Sequence, residues 1–588
     1  MAAAHIRGLE CPPRPAASVH HPSRSTSRKH ATVRLTTRSD STADGSGANR
    51  SANDNQGGNI RNHTRRGLLQ LATAGSLYAW AGRNAQAADA QVTAAAAAAV
   101  AAGGGGSELL QRQLDDRLSQ FTLPNGLRFI MYERKAAPIV SFHIYADVGA
   151  YDEVDGQTGL AHLLEHMAFK GTPRIGTTDY RAEAPLLDAL DEAFYSQLEA
   201  GSPKEYARLQ KDLEALSQQA AALSVPNAYG ALLNAEGGVG LNAATSQDAT
   251  KFYVSLPANK AELWFALESE RFQAPVFRDL YTEKTVVLEE RRLRVDNSAL
   301  GPFSEQFALR SFSNNYRRPV IGFADDIARL GRREVQAFFQ QHYGPQNLTI
   351  AVAGDVQPAT IRRLAEKYFG GWQQPDGNQA AAAAGCLGLA GLEEALAVPA
   401  VSRDQWHYSA QSKAGPGVMQ AYYRPCINSP DSVPLDLASG MLSGSRSSRL
   451  YRNLVLPGKA LAASAYASLP ADKHPSTFVC YGVPAKESSI KKLHADLSAE
   501  VAALAGEGPT ADELRRYKKS AKVELLDALS NNSAIASALS SYQVLTGDCR
   551  NVLTDLRRIE LLTGAEVREA AARHLRPDNC FKGTVLPL

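Results

Sequence analysis

The chain has 588 residues, of which 44% are hydrophobic and 21% charged, and its formal net charge is +3. That balance fits a globular protein with room for several domains, and it excludes a chain built as a whole for nucleic acid or for a membrane surface. Six cysteines (Cys11, Cys386, Cys426, Cys480, Cys549 and Cys580) show no C-x-x-C spacing, which excludes a cysteine metal cage and a dense disulfide scaffold.

Residues 1–64 carry Arg7, Arg14, Arg24, Arg28, Lys29, Arg34 and Arg38 among many Ser and Thr, with Glu10 the only acid before Asp40. That is the composition of an organelle transit peptide, and equally of a disordered tail. Residues 65–87 open on Arg65-Arg66, run through a mild apolar stretch to Trp80 and close on Ala85-Gln86-Ala87, like a twin-arginine signal. The stretch is too short and too interrupted to span a membrane. The two signals in series predict a chloroplast address, in the thylakoid lumen, with stroma or mitochondrion as alternatives. The twin-arginine signal alone would suit a bacterial-type periplasm. An Ala/Gly-rich linker over 88–113 follows.

The folded part is expected from 114. Residues 121–133 read as strand, Pro-Asn-Gly turn, strand, and 138–149 as a strand with Val140, Phe142 and Ile144 on one face. After a turn with Asp152, Glu153, Asp155 and Gly156 comes Gly159-Leu160-Ala161-His162-Leu163-Leu164-Glu165-His166-Met167. His162 and His166 are four apart, so a helix puts both imidazoles on one face, and Glu165 points to the same side. Three titratable groups inside an apolar helix cost free energy unless something pairs them. Two imidazoles and a nearby carboxylate are what a catalytic zinc site draws from one helix, and H-x-x-E-H is the inverzincin order.

Residues 184–224 read as a helical hairpin broken at Gly201-Ser202-Pro203, a structural insert or a lid beside the site. A strand is expected over 243–256, then helices over 260–272 and 279–295. The last helix carries Glu283, Glu289 and Glu290. A catalytic zinc needs a third protein ligand. Glu283 and Glu290 are seven apart and share a face, so spacing leaves both open, whereas Glu289 falls to solvent.

HLLEHMAFKGT, NAATSQDAT and YTEKTVVLEERR, with GFADDIARL and HYGPQNLTIAVAGDV, resemble the pitrilysin and mitochondrial-processing-peptidase family of zinc metallopeptidases. The resemblance runs from about Phe121 to near the end and is looser in the second half. It implies one Zn²⁺ held by His162, His166 and Glu290, with Glu165 as general base and Glu283 supporting the site from outside. It implies substrate contacts at Asn242, Ala243 and Thr245, on a sheet edge that takes a peptide as an added strand. The implied fold is α+β: two similar domains, each a mainly antiparallel sheet covered by helices. The first, catalytic domain falls over 114–372, a linker over 373–398, and a second, metal-free domain over 399–588. In that second half 436–447 is Gly/Ser-rich, Ser447 to Tyr451 opens a helix, and 485–504 and 510–529 are helical by pattern.

Active relatives carry an Arg and a Tyr seven apart after the SSRL segment. The matching positions here are Val455 and Ala463, with a one-residue insertion near Lys459, and Arg452 and Tyr466 are out of register. The expectation is a zinc endopeptidase for peptides or presequences, acting as the catalytic subunit beside a related metal-free subunit or a second copy. The competing reading is a zinc-retaining, non-catalytic scaffold subunit of an organelle complex.

Overall fold

The computed structural model describes residues 106–373, 407–486 and 489–588. The segments read as 1–64 and 65–87, most of the 88–113 linker and all but the first residue of the 373–398 linker lie outside the described residues. Among the described residues no helix is long and apolar enough to cross a membrane.

Two sheets organise the chain. The first contains β1 (Leu118–Thr122), β2 (Arg128–Glu133), β3 (Ile139–Ala146), β4 (Val239–Thr245), β5 (Thr250–Pro257) and β6 (Leu348–Gly354), in the order β1-β2-β6-β3-β5-β4. The second contains β7 (His407–Ser412), β8 (Gly417–Arg424), β9 (Ala460–Leu469), β10 (Ser476–Pro484) and β11 (Cys580–Pro587), in the order β7-β11-β8-β10-β9. Apart from the extra β1, the two orders are the same arrangement used twice. In each, the last strand enters beside the first and parallel to it, β6 with β2 and β11 with β7, while the other pairs are antiparallel. The fold is α+β with two mixed sheets and covering helices.

The first core lies under one face of the first sheet. Phe129, Phe142, Trp264, Phe265 and Phe369 meet there with Leu160, Leu163, Leu164 and Met167 of the motif helix. Burying such side chains stabilises by about 1.5–3 kcal/mol each, and it fixes the helix against the sheet.

The opposite face of the first sheet is covered by a helix from the second half, Asn532–Thr546. Ile535, Ala536 and Leu539 pack on Ile130, Ala351 and Ala353. Its serines meet the polar face of the sheet: Ser533 Oγ lies 2.9 Å from His143 Nε2, and Lys251 Nζ donates to Ser541 Oγ at 3.0 Å. The first half returns the favour. Phe303 and Phe307 of helix Gly301–Ser311 pack on Met419, Val479, Tyr481 and Phe581 of the second sheet. A Cβ on Gly583 would meet the Phe307 ring at 2.6 Å, so a glycine is needed there. Each half thus covers a face of the other's sheet.

One local reading is completed and one changes. Val140, Phe142 and Ile144 share a face of β3 as expected, and the other face is covered too: seven of its eight residues are buried, because Asn532–Thr546 lies over the second face. The Gly/Ser-rich 436–447 stretch lies largely in helix Ser432–Ser443, whose Leu435, Leu437, Ala438, Met441 and Leu442 are buried. Its small residues permit close packing: a Cβ on Gly440 would sit 3.3 Å from the Tyr517 ring.

Candidate active site

The motif helix spans Leu160–Met167, and Gly159 caps it with φ +92°. That left-handed conformation favours glycine, and a Cβ there would meet the Ile321 carbonyl oxygen at 2.6 Å. The first amides of a helix have no intrahelical partner. Here buried Glu153 accepts from Gly159 N at 2.8 Å and from Ala161 N at 2.9 Å. Asp326 accepts from Thr158 N and from Thr158 Oγ1, at 3.2 and 2.6 Å. Two acids that are neither ligand nor base therefore fix where the helix starts and which way its histidines face.

Glu290 reaches these histidines from helix Leu280–Arg291. Its Oε2 lies 3.7 Å from His162 Nε2 and 3.5 Å from His166 Nε2, and one ligand atom from each residue falls within 4.8 Å of the others. Tetrahedral ligands with bonds of about 2.0–2.2 Å to zinc sit about 3.3–3.6 Å apart, close to the two Glu290 distances. The donor set suits zinc as well. Burial holds His162 neutral, down to about 4. Glu290 is held below the usual carboxylate range, chiefly by its hydrogen bond with His166. His166 is raised to about 9, first by Glu283 and then by Glu290. A bound cation would take the place of that proton between His166 and Glu290.

Glu283 occupies a different position. Its Oε2 lies 3.3 Å from His166 Nδ1, the ring nitrogen turned away from the triad, and its Oε1 accepts from Lys170 Nζ at 2.6 Å. A carboxylate on the far nitrogen fixes the tautomer and orientation of a metal-bound imidazole. Glu289 is exposed and pairs with Arg292.

Glu165 is not part of the triad. It faces β4, where Thr245 Oγ1 donates to its Oε2 at 2.6 Å. Burial raises its pKa, and the Thr245 bond is the first of the effects pulling it back. Thr245→Val removes that donor, so the acid limb of a kcat/KM profile should move upward. Thr245→Ser should leave the limb in place. A limb unmoved in Thr245→Val would separate Thr245 from the base.

β4 pairs with β5 on one side, and among the described residues no strand is hydrogen-bonded to its other edge. The three residues read as substrate contacts differ in what they offer. Asn242 is exposed and its Oδ1 accepts the next amide, Ala243 N, at 2.9 Å. The Ala243 methyl is buried in the core. Thr245 is engaged by Glu165. The edge opens into a cleft of about 1530 Å³ between the triad and the second sheet, with Leu293, Arg294, Met419 and Tyr481 in its walls.

The insert is a pair of helices, Tyr180–Leu198 and Pro203–Ala221, joined where the Gly-Ser-Pro break was expected. None of its described residues lines the cleft. Buried Glu183 takes Arg278 Nε at 2.8 Å, and Arg278 Nη2 donates to the Thr172 carbonyl at 2.8 Å. That network makes the insert a brace for the chain leaving the motif helix. Arg452, Val455, Ala463 and Tyr466 also stand outside the cleft lining.

The insulinase (peptidase family M16) profile matches residues 128–198, the stretch holding the motif helix, and the peptidase M16 inactive-domain profile matches 329–521. The chain belongs to the peptidase M16 family. Among its M16 relatives is zinc protease PqqE of Helicobacter pylori, 25% identical over 448 residues, 74% of this chain and 85% of that protein. An uncharacterized zinc protease of Mycobacterium tuberculosis is 26% identical over 463 residues, covering 77% and 90% of the two chains. The beta subunit of the mitochondrial-processing peptidase of Caenorhabditis elegans is 26% identical over 251 residues, 42% of this chain and 44% of that one. The crystal structure of a protease from Helicobacter pylori shares the fold, with TM-score 0.63 and 21% identity, over 80% of this chain and 99% of that chain.

Sequence reasoning missed Glu153, Asp326 and the Thr245–Glu165 contact. Glu153 stood in plain view in the acidic turn before the motif. What it accepts becomes visible only once that turn folds back over the helix start.

Proposed function

We propose that the chain is a zinc-dependent endopeptidase that cleaves unfolded peptides or presequences. The observation that carries this reading is the convergence of His162, His166 and Glu290 beside the open edge of β4, with Glu165 between. In it, His162, His166 and Glu290 hold one zinc and Glu283 orients His166. Bound there, zinc supplies a Lewis acid and a water of lowered pKa. Glu165 accepts a proton from the attacking water and returns it to the leaving amine. Thr245 holds the ionised Glu165 ready, and the main chain of β4 at Asn242 and Ala243 pairs with the peptide as an added strand.

The reading extends to assembly. With Val455 and Ala463 at the positions where active relatives carry Arg and Tyr, the chain works as the catalytic subunit beside a related metal-free subunit or a second copy. Its address is the chloroplast, and a mature N-terminus near Ala88 is the expected mark of the lumen.

The test is hydrolysis of an unstructured peptide by the purified chain, with and without its partner. A chelator should abolish cleavage and zinc should restore it. A zero rate in the zinc-loaded, partnered protein would favour the scaffold reading. Full activity from a monomer would refute the subunit reading.

A further inference from the structure

The ligand helix does not end at Arg291. It runs on as a π-helical turn, Arg292–Asp296, a form that occurs often at functional sites. This junction carries three arginines, each with its own partner. Arg291 turns inward, donating to Glu305 Oε2 at 2.7 Å and to the Gly322 carbonyl at 2.7 Å. Arg292 turns outward to Glu289. Arg294 lies in the cleft wall, and its Nη1 is 2.9 Å from Glu290 Oε1.

The two oxygens of Glu290 are thereby divided. Oε2 faces the imidazole Nε2 atoms of His162 and His166, while Oε1 is held by a guanidinium. An ion pair at one carboxylate oxygen biases the group to offer a cation the other. We propose that Arg294 is a positioning residue that presents Glu290 to the metal through Oε2 alone, and so sets how tightly the site holds zinc. The proposal rests on the reading of Glu290 as third ligand.

Two effects of Arg294 oppose each other. Its positive charge repels a cation, and its ion pair with Oε1 orients the ligand. The side chain is 69% exposed, so solvent and salt screen its repulsion of a cation further off, whereas the ion pair with Oε1 acts at 2.9 Å. Orientation therefore dominates, and removing the guanidinium should weaken zinc binding. Loss of an outer-shell partner costs about 10–100-fold in metal affinity.

The experiment is a competition titration of zinc against a chromophoric chelator, on full-length Arg294→Met, Arg294→Lys and Glu290→Gln, with circular dichroism to check the fold. Arg294→Met is expected to raise the zinc dissociation constant about 10–100-fold. Arg294→Lys should recover part of the loss, since an ammonium keeps the positive charge but not the planar guanidinium. At saturating zinc, kcat for Arg294→Met should return to near the parent value with KM for peptide unchanged. Zinc affinity equal to or tighter than the parent's would overturn the proposal. So would an effect confined to KM, which would make Arg294 a peptide-facing cation. Glu290→Gln keeps the two ideas apart: if it holds zinc like the parent, the ligand reading fails, whatever Arg294 does.

Discussion

Glu165→Gln should retain zinc and lower kcat/KM by about 10²–10⁴-fold, the usual worth of a positioned general base. In barrier height that is about 3–5 kcal/mol. The substitution is nearly isosteric, and the side-chain oxygen can still accept from Thr245 Oγ1, which now lies 2.6 Å from the carboxylate. Zinc should stay because the converging ligand atoms come from His162, His166 and Glu290. What is lost is the group that carries a proton from water to the leaving amine. Unchanged turnover would remove Glu165 from the mechanism, and loss of zinc would make it a ligand.

Glu290→Gln is the second large effect, and its meaning comes from two companions. Glu290 touches Nε2 of both histidines, so its loss removes a ligand. Glu283 touches Nδ1 of His166, so Glu283→Gln removes only an outer support, expected to cost about 10–100-fold in zinc affinity. Glu290→Gln should exceed that range. Glu289→Gln should do nothing measurable, since its partner is Arg292 at an exposed pair. A series in which Glu283→Gln was the worst of the three would reverse the two carboxylates. Zinc content and peptide hydrolysis, read on the same preparations, decide it.

The helical spacing of His162 and His166 was readable from sequence because i, i+4 neighbours need nothing but a helix. The same logic narrowed the third ligand to Glu283 or Glu290 and could go no further, since both lie on one face. The choice needs the direction of approach, which the packing of helix Leu280–Arg291 on the motif helix supplies. The resemblance to zinc peptidases points to Glu290, whose Oε2 lies 3.7 and 3.5 Å from the two Nε2 atoms. Contacts between distant segments left no local pattern. Helix Asn532–Thr546 is rich in Ser and Ala, and nothing in it announces a partner. Its serines are explained only by His143 and Lys251 on the sheet it covers. The alternation in β3 was read correctly for the face carrying Val140, Phe142 and Ile144, but the second face is hidden by a segment nearly 400 residues away. Glu153 and Asp326 escaped for the same reason, because a helix start is completed by whatever folds over it.

The claim at the centre of this account is that one zinc binds His162, His166 and Glu290. Zinc X-ray absorption on the purified full-length chain tests it most directly. The account predicts a nitrogen/oxygen shell only, with imidazole nitrogens at about 2.0–2.1 Å and oxygens at about 2.0–2.2 Å, and a shell that loses its carboxylate in Glu290→Gln. A sulfur shell at about 2.3 Å, or a spectrum that Glu290→Gln leaves unchanged, would contradict it.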